Sequence, residues 1–128
     1  MSRFELFTRF ALFDGLTADD MLTLLARVNL DFVHYGAGDF LCREGEESKG
    51  LLLLMDGTVT VGDETAEAPA IIQYSHLYGA DTRSPRTARA DTACSVMRIS
   101  PEALKALLQA DARVLSNYLN LLSDDNRK

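Results

Sequence analysis

A mainly β domain with flanking helices, of the sandwich or jelly-roll class, is the fold this sequence predicts, and three observations predict it. Between Asn29 and Ile99 the chain breaks into short apolar or alternating runs separated by Gly and acidic turns, the pattern of antiparallel strands. Before and after that stretch, apolar residues recur at helical spacing. The length of 128 residues, 47% hydrophobic and 25% charged, supplies one core and one domain.

The first part, 4–28, reads as helical. Phe4, Phe7 and Ala11 share a face, and FDGLTADD supplies a turn at Gly15 and an N-cap at Thr17. Asp19 and Asp20 complement the dipole of the first turn. Met21, Leu24, Leu25 and Val28 follow at i, i+3, i+4 and i+7, which predicts an amphipathic helix over 18–27.

Strands are expected at 30–35, 40–43, 51–56, 58–62, 70–74, 87–90 and 93–99, giving seven or eight in all. The segments GAGD, REGEESKG, MDG and GDETAEAP read as turns, rich in residues that tolerate positive φ or bond their own backbone.

Helix returns over 100–128. Ser100 is an N-cap, Pro101 stands where a missing N–H costs nothing, and Glu102 complements the dipole. Leu104, Leu107 and Leu108 form the apolar face, and Asp111 is the junction to a second helix. There Leu115, Tyr118, Leu119 and Leu122 fall on one stripe that calls for a partner, so a homodimer through this helix is expected. The tail SDDNRK has neither a Gly cap nor a Pro. It either frays at a natural end or is the front part of a longer helix.

Several function classes are excluded. A net charge of −6 opposes a nucleic-acid surface, so any DNA contact has to come from elsewhere. The longest apolar run, 51–55, is too short to cross a bilayer, and Arg3, Glu5 and Arg9 stand where a signal peptide would be apolar. The expectation is a cytoplasmic protein without membrane contact. Cys42 and Cys94 signal neither a disulfide framework nor a zinc site and read as buried reduced thiols. His34 and His76 lie outside any nucleophile elbow, and there is no H-x-H of a metal-binding jelly roll. Glu46 with Glu47 and Asp63 with Glu64 read as solvated turn residues. No catalytic residue, metal ligand or cofactor is expected, and the chain is not read as an enzyme.

Helix, strands and helix in this order give meaning to the spaced glycines. In FDGLTADDMLTLLARVNLDFVHYGAGDFLCREGEESKGLLLLMDGTVTV, the residues Phe13, Leu16, Gly38, Asp39, Gly45, Glu46, Gly57, Val59 and Val61 form a pattern. It resembles a cyclic-nucleotide-binding domain of the CRP/FNR regulator type, over about Phe4 to Leu122. The resemblance implies an eight-stranded β-roll with flanking helices, the last of which starts the dimer-forming helix. Gly38, Gly45 and Gly57 fall where tight turns between strands need positive φ.

The same resemblance implies a phosphate cassette in LYGADTRSPRTARADT. In members that bind a nucleotide, an aromatic, Gly and Glu open a short helix, and Arg, Ser or Thr, and Ala close the cassette about ten residues later. Tyr78 and Gly79 match the opening; Arg86, Thr87 and Ala88 match the close. Ala80 stands where the family has its ribose-binding Glu. Only Ala80 to Pro85 separate Gly79 from Arg86, about four residues fewer than usual, or roughly one helical turn. A carboxylate at Asp81 is one position late and repels phosphate.

The expectation is a degenerate cassette in the sensor domain of a CRP/FNR-type regulator, with cyclic AMP and cyclic GMP not bound in the family manner. Arg86, assisted by Thr87 with Arg83 or Arg89 nearby, is the residue for any anion; the bland alternative pairs Arg86 with a carboxylate such as Asp81. Two other readings are a stand-alone interaction or dimerisation module, and a sensor of haem, redox state or another small anion through His34, His76, Cys42 or Cys94.

Overall fold

The computed structural model describes residues 9–73, 77 and 81–126. Phe4, Phe7, His76, Tyr78, Gly79 and Ala80 lie outside the described residues, so the expected opening of the cassette does too.

A 3-10 turn, η1 (Ala11–Phe13), leads into helix α1 (Ala18–Leu25). Thr17 caps α1 reciprocally. Its Oγ1 accepts from the Asp20 N–H at 3.1 Å while its own N–H donates to Asp20 Oδ2 at 3.0 Å, closing a capping box. The helix stops short of the expected 18–27 because the Arg27 N–H reaches back only to the Leu24 carbonyl, which tightens the last turn.

Among the described residues eight strands follow: β1 (Asp31–Tyr35), β2 (Phe40–Cys42), β3 (Leu51–Asp56), β4 (Thr58–Val61), β5 (Glu64–Glu67), β6 (Ala70–Gln73), β7 (Ala88–Ala90) and β8 (Cys94–Ile99). They form two four-stranded antiparallel sheets, ordered β1-β8-β3-β6 and β2-β7-β4-β5. The eight-stranded β-roll with flanking helices is therefore the fold the sequence predicts.

Strand β5 corrects the reading of GDETAEAP as a turn. It pairs with β4 from Thr58↔Glu67 to Val61↔Glu64 and forms the edge of its sheet. Of its residues only Ala66 is half-buried, so no apolar alternation marks it.

Ser100 Oγ accepts from the Ala103 N–H at 3.1 Å and Pro101 opens helix α2 (Pro101–Ala110). Asp111 then adopts an extended backbone, φ −145° and ψ 120°. Its carboxylate accepts from the Arg113 N–H at 2.8 Å, so the break doubles as the N-cap of helix α3 (Ala112–Asn126).

Two apolar compartments share β3. Leu52 and Leu54 meet Leu41, Cys42, Val59, Ala88, Ala90, Cys94 and Val96 between the sheets. Leu51 and Leu53 meet the helical layer on the opposite face, with Phe10, Leu12, Phe13, Met21, Leu104, Leu107, Val114 and Tyr118. A strand covered on both faces reads as a continuous apolar run rather than an alternating one. Gly57, between β3 and β4, has φ +101°, and a Cβ there would stand 2.6 Å from the Ala93 carbonyl oxygen. Only glycine fits this approach.

The stripe expected on α3 divides. Tyr118 is buried and Leu122 half-buried against the helical compartment, joined by Val114 and Leu121. Leu115 and Leu119 face solvent, 40% and 55% exposed. The inward face is centred one position before the expected stripe, because η1 covers that side.

Candidate functional site

The segment expected to hold an anion runs into β7, and in its described part residues 82–84 pair with a neighbouring turn before the chain bends at Pro85 and Arg86. It lies against the turn after β2 as a short antiparallel ribbon. The Gly45 N–H donates to the Ser84 carbonyl at 2.9 Å, the Ser84 N–H to the Glu46 carbonyl at 2.7 Å, and the Ser48 N–H to the Thr82 carbonyl at 2.9 Å. Glu47 and Arg83 form an isolated bridge in the same ribbon. Within the described part of the segment, the Ser84 N–H is thereby turned to the chain itself.

Side chains of the segment follow suit. The Arg83 guanidinium grips Asp81 through Nε at 3.0 Å and Nη2 at 3.2 Å, and the Arg83 N–H donates to the same carboxylate at 3.1 Å. Hydrogen bonding to Asp81, then its charge, raises the Arg83 pKa above its ordinary value. The Thr82 hydroxyl donates to Glu47 Oε1. Ser84 is buried.

The expected closing residues are ordered by backbone contacts. Arg86 is exposed; its carbonyl accepts from Cys42 Sγ at 3.6 Å, and its Cδ would lie 3.5 Å from a Cβ on Gly62. Thr87 Oγ1 accepts from the Glu44 N–H at 2.9 Å, and the Thr87 carbonyl from the Gly62 N–H at 2.9 Å. Ala88 is buried in β7. Arg89, between the inward Ala88 and Ala90, is turned to the opposite, solvent side of its sheet. The structure thus sets Arg83 and Thr87 against the turn after β2, brings the Arg86 side chain beside Gly62 between β4 and β5, and turns Arg89 to the solvent side of β7.

The candidates for another ligand are dispersed. His34 on β1 meets Ser95 on β8, with Nδ1 3.1 Å from Oγ, in a cleft of about 260 Å³ that Phe32, Met55 and Asp56 also line. Cys42 and Cys94 are buried between the sheets. Burial pushes the Cys42 thiol above its ordinary pKa, which keeps it protonated. Among the described residues no three His, Cys, Asp or Glu side chains group to hold a metal ion, and no helix is long and apolar enough to cross a membrane.

Sequence reasoning missed the ribbon, because Thr82 to Ser84 carries no apolar alternation to announce a strand. It also missed the polar contacts of Arg113 and Asn117 with the N-terminal turn; the acidic cap two residues before Arg113 was the available signal.

The family model for the cyclic nucleotide-binding domain matches residues 32–111. No curated protein matches the sequence. Among solved structures, the sensor domain of the transcriptional regulator DNR from Pseudomonas aeruginosa is similar, with a TM-score of 0.78 and 22% identity over 96% of this chain and 92% of that one. The catabolite activator protein of Thermus thermophilus gives a TM-score of 0.80 and 20% identity over 91% of this chain but 58% of that protein. The N-terminal domain of a transcriptional regulator from Streptomyces coelicolor gives 0.72 and 19% over 91% and 87%. At these identities the structural likeness shows a shared fold.

Proposed function

This chain belongs to the cyclic nucleotide-binding domain family, and from that premise we propose that it is the sensor part of a CRP/FNR-type transcriptional regulator with a degenerate phosphate cassette. The observation that carries this reading is the self-satisfied segment at 81–84. The Asp81 carboxylate takes the Arg83 guanidinium, the Glu47 carboxylate takes the Thr82 hydroxyl, and the Glu46 backbone carbonyl takes the Ser84 N–H. A phosphate arriving there meets carboxylates instead of donors, so its desolvation is not compensated.

In this reading the chain is regulatory rather than catalytic and works in the cytoplasm. DNA is contacted only through a module outside it, since the net charge of −6 repels phosphate. The homodimer forms along α3, where Leu115 and Leu119 are the exposed apolar pair and Tyr118 and Leu122 brace the helix from within. The domain's role is to set the position of α3, and through it the spacing of two DNA-reading modules.

Thermal denaturation with millimolar cyclic AMP or cyclic GMP tests the cassette. A ligand at about a hundred times its dissociation constant stabilises a fold by about 2.7 kcal/mol. No shift is expected, for the parent chain or for Arg86→Ala. A stabilisation that Arg86→Ala abolishes would show a working cassette and overturn the reading.

A further inference from the structure

Among the described residues, the helical layer leaves one end of the β1-β8-β3-β6 sheet uncovered. Cross-strand partners point to the same side, so Phe32 shares a face with Met97 and Leu53, which pack under the helices. Two residues further along β1, on that same face, His34 stands opposite Ser95, and Ser95 opposite Asp56 at the end of β3. Leu53 and Met97 are buried, whereas His34 and Asp56 are exposed and Phe32 is 44% exposed. The register of β3 against β8 shifts between Leu54 and Asp56, which makes Met55 the extra residue of a bulge. Met55 is half-buried against the helical compartment. Bulge and uncovered sheet end together form the cleft of about 260 Å³.

We propose that this cleft is a binding site for a small organic cation, an ammonium group on a short apolar or aromatic body. Phe32 and Met55 supply apolar surface, the first an aromatic ring that attracts a cation and the second a thioether that adapts to irregular shapes. Asp56 supplies the counter-charge, and no Lys or Arg lines the cleft. Arg98 belongs to the opposite face of β8, where its Nη2 meets Asp31 Oδ2 at 3.2 Å. An anionic ligand would therefore be brought beside Asp56 without a Lys or Arg to offset the repulsion. His34 Nδ1 and Ser95 Oγ, 3.1 Å apart, hold each other by a hydrogen bond and give the cleft a fixed polar patch. Sites for drug-sized ligands span about 300–1,000 Å³, so the occupant of this cleft is smaller than that. None of the cleft residues belongs to the segment at 81–88, and the site does not depend on how the cassette is read.

Titration of the whole chain at neutral pH, followed by backbone amide chemical shifts, tests the proposal with probes that share one body and differ in charge: phenethylamine, phenethyl alcohol and phenylacetate. The amine is expected to give saturable shifts at 32–34, 55–56 and 95–96, with a dissociation constant of about 1 mM, the scale for so small a ligand. The alcohol loses both the ion pair and the cation–π contact and is expected to bind about tenfold more weakly. Phenylacetate is expected not to saturate. Asp56→Asn, at an exposed position, should weaken the amine about threefold and leave the alcohol unchanged. Phe32→Ala should weaken both. Equal affinity for the amine and phenylacetate would overturn the proposal, and so would amine shifts that stay linear to about 20 mM or that fall away from the cleft. An Asp56→Asn chain that binds the amine as the parent does would overturn it as well.

Discussion

Single residues set the tolerances of this domain. Gly57→Ala combines a strained φ with a collision at Ala93, and is expected to lower unfolding stability by about 1–3 kcal/mol in a urea titration. Asp20 is held below its ordinary pKa by the Thr17 N–H and then by Arg113, and Asp111 chiefly by its hydrogen bond from Arg113. A carboxylate with a depressed native pKa stabilises the fold above its unfolded value, near pH 4, and loses that contribution as pH falls through the native value. The thermal midpoint should therefore drop below about pH 4, and Asp20→Asn with Asp111→Asn should flatten that drop. An unchanged acid slope in the double variant would refute the assignment. At this scale the turn glycines were legible, with Gly38, Gly45 and Gly57 all at positive φ. The partners of Asp81, Thr82 and Arg113 were not, since a polar side chain carries no periodicity that names its partner.

Among the elements, α3 offers the sharpest contrast between faces. Leu115→Glu with Leu119→Glu should leave the thermal midpoint near the parent value and shift sedimentation toward monomer, because both leucines face solvent in one chain. Tyr118→Ala removes a buried ring from beside Leu12 and Phe13 and should cost about 3–5 kcal/mol in chemical denaturation. Equal stability losses in both variants would mean the faces are wrongly assigned. The sequence showed that α3 is amphipathic but not which of two adjacent stripes η1 covers, since both are apolar. Strand β5 escaped for the opposite reason: an edge strand with a single inward Ala has no apolar signal to read. Strands β3 and β8, whose apolar residues are dictated by burial on both faces, were legible almost to the residue.

For the molecule as a whole, architecture was far more legible than chemistry. The order of helix, β-run and helix follows from apolar spacing. The cassette segment is defined instead by which donors are already taken, and that appears only when the turn after β2 is laid beside 82–84. The run Leu51–Leu54 has a further consequence for the domain. Because alternate leucines of one strand belong to different apolar compartments, neither compartment can melt while the other keeps its shared wall. The chain should thus unfold in a single cooperative step, with calorimetric and van 't Hoff enthalpies in agreement and no populated intermediate that retains the helical layer alone.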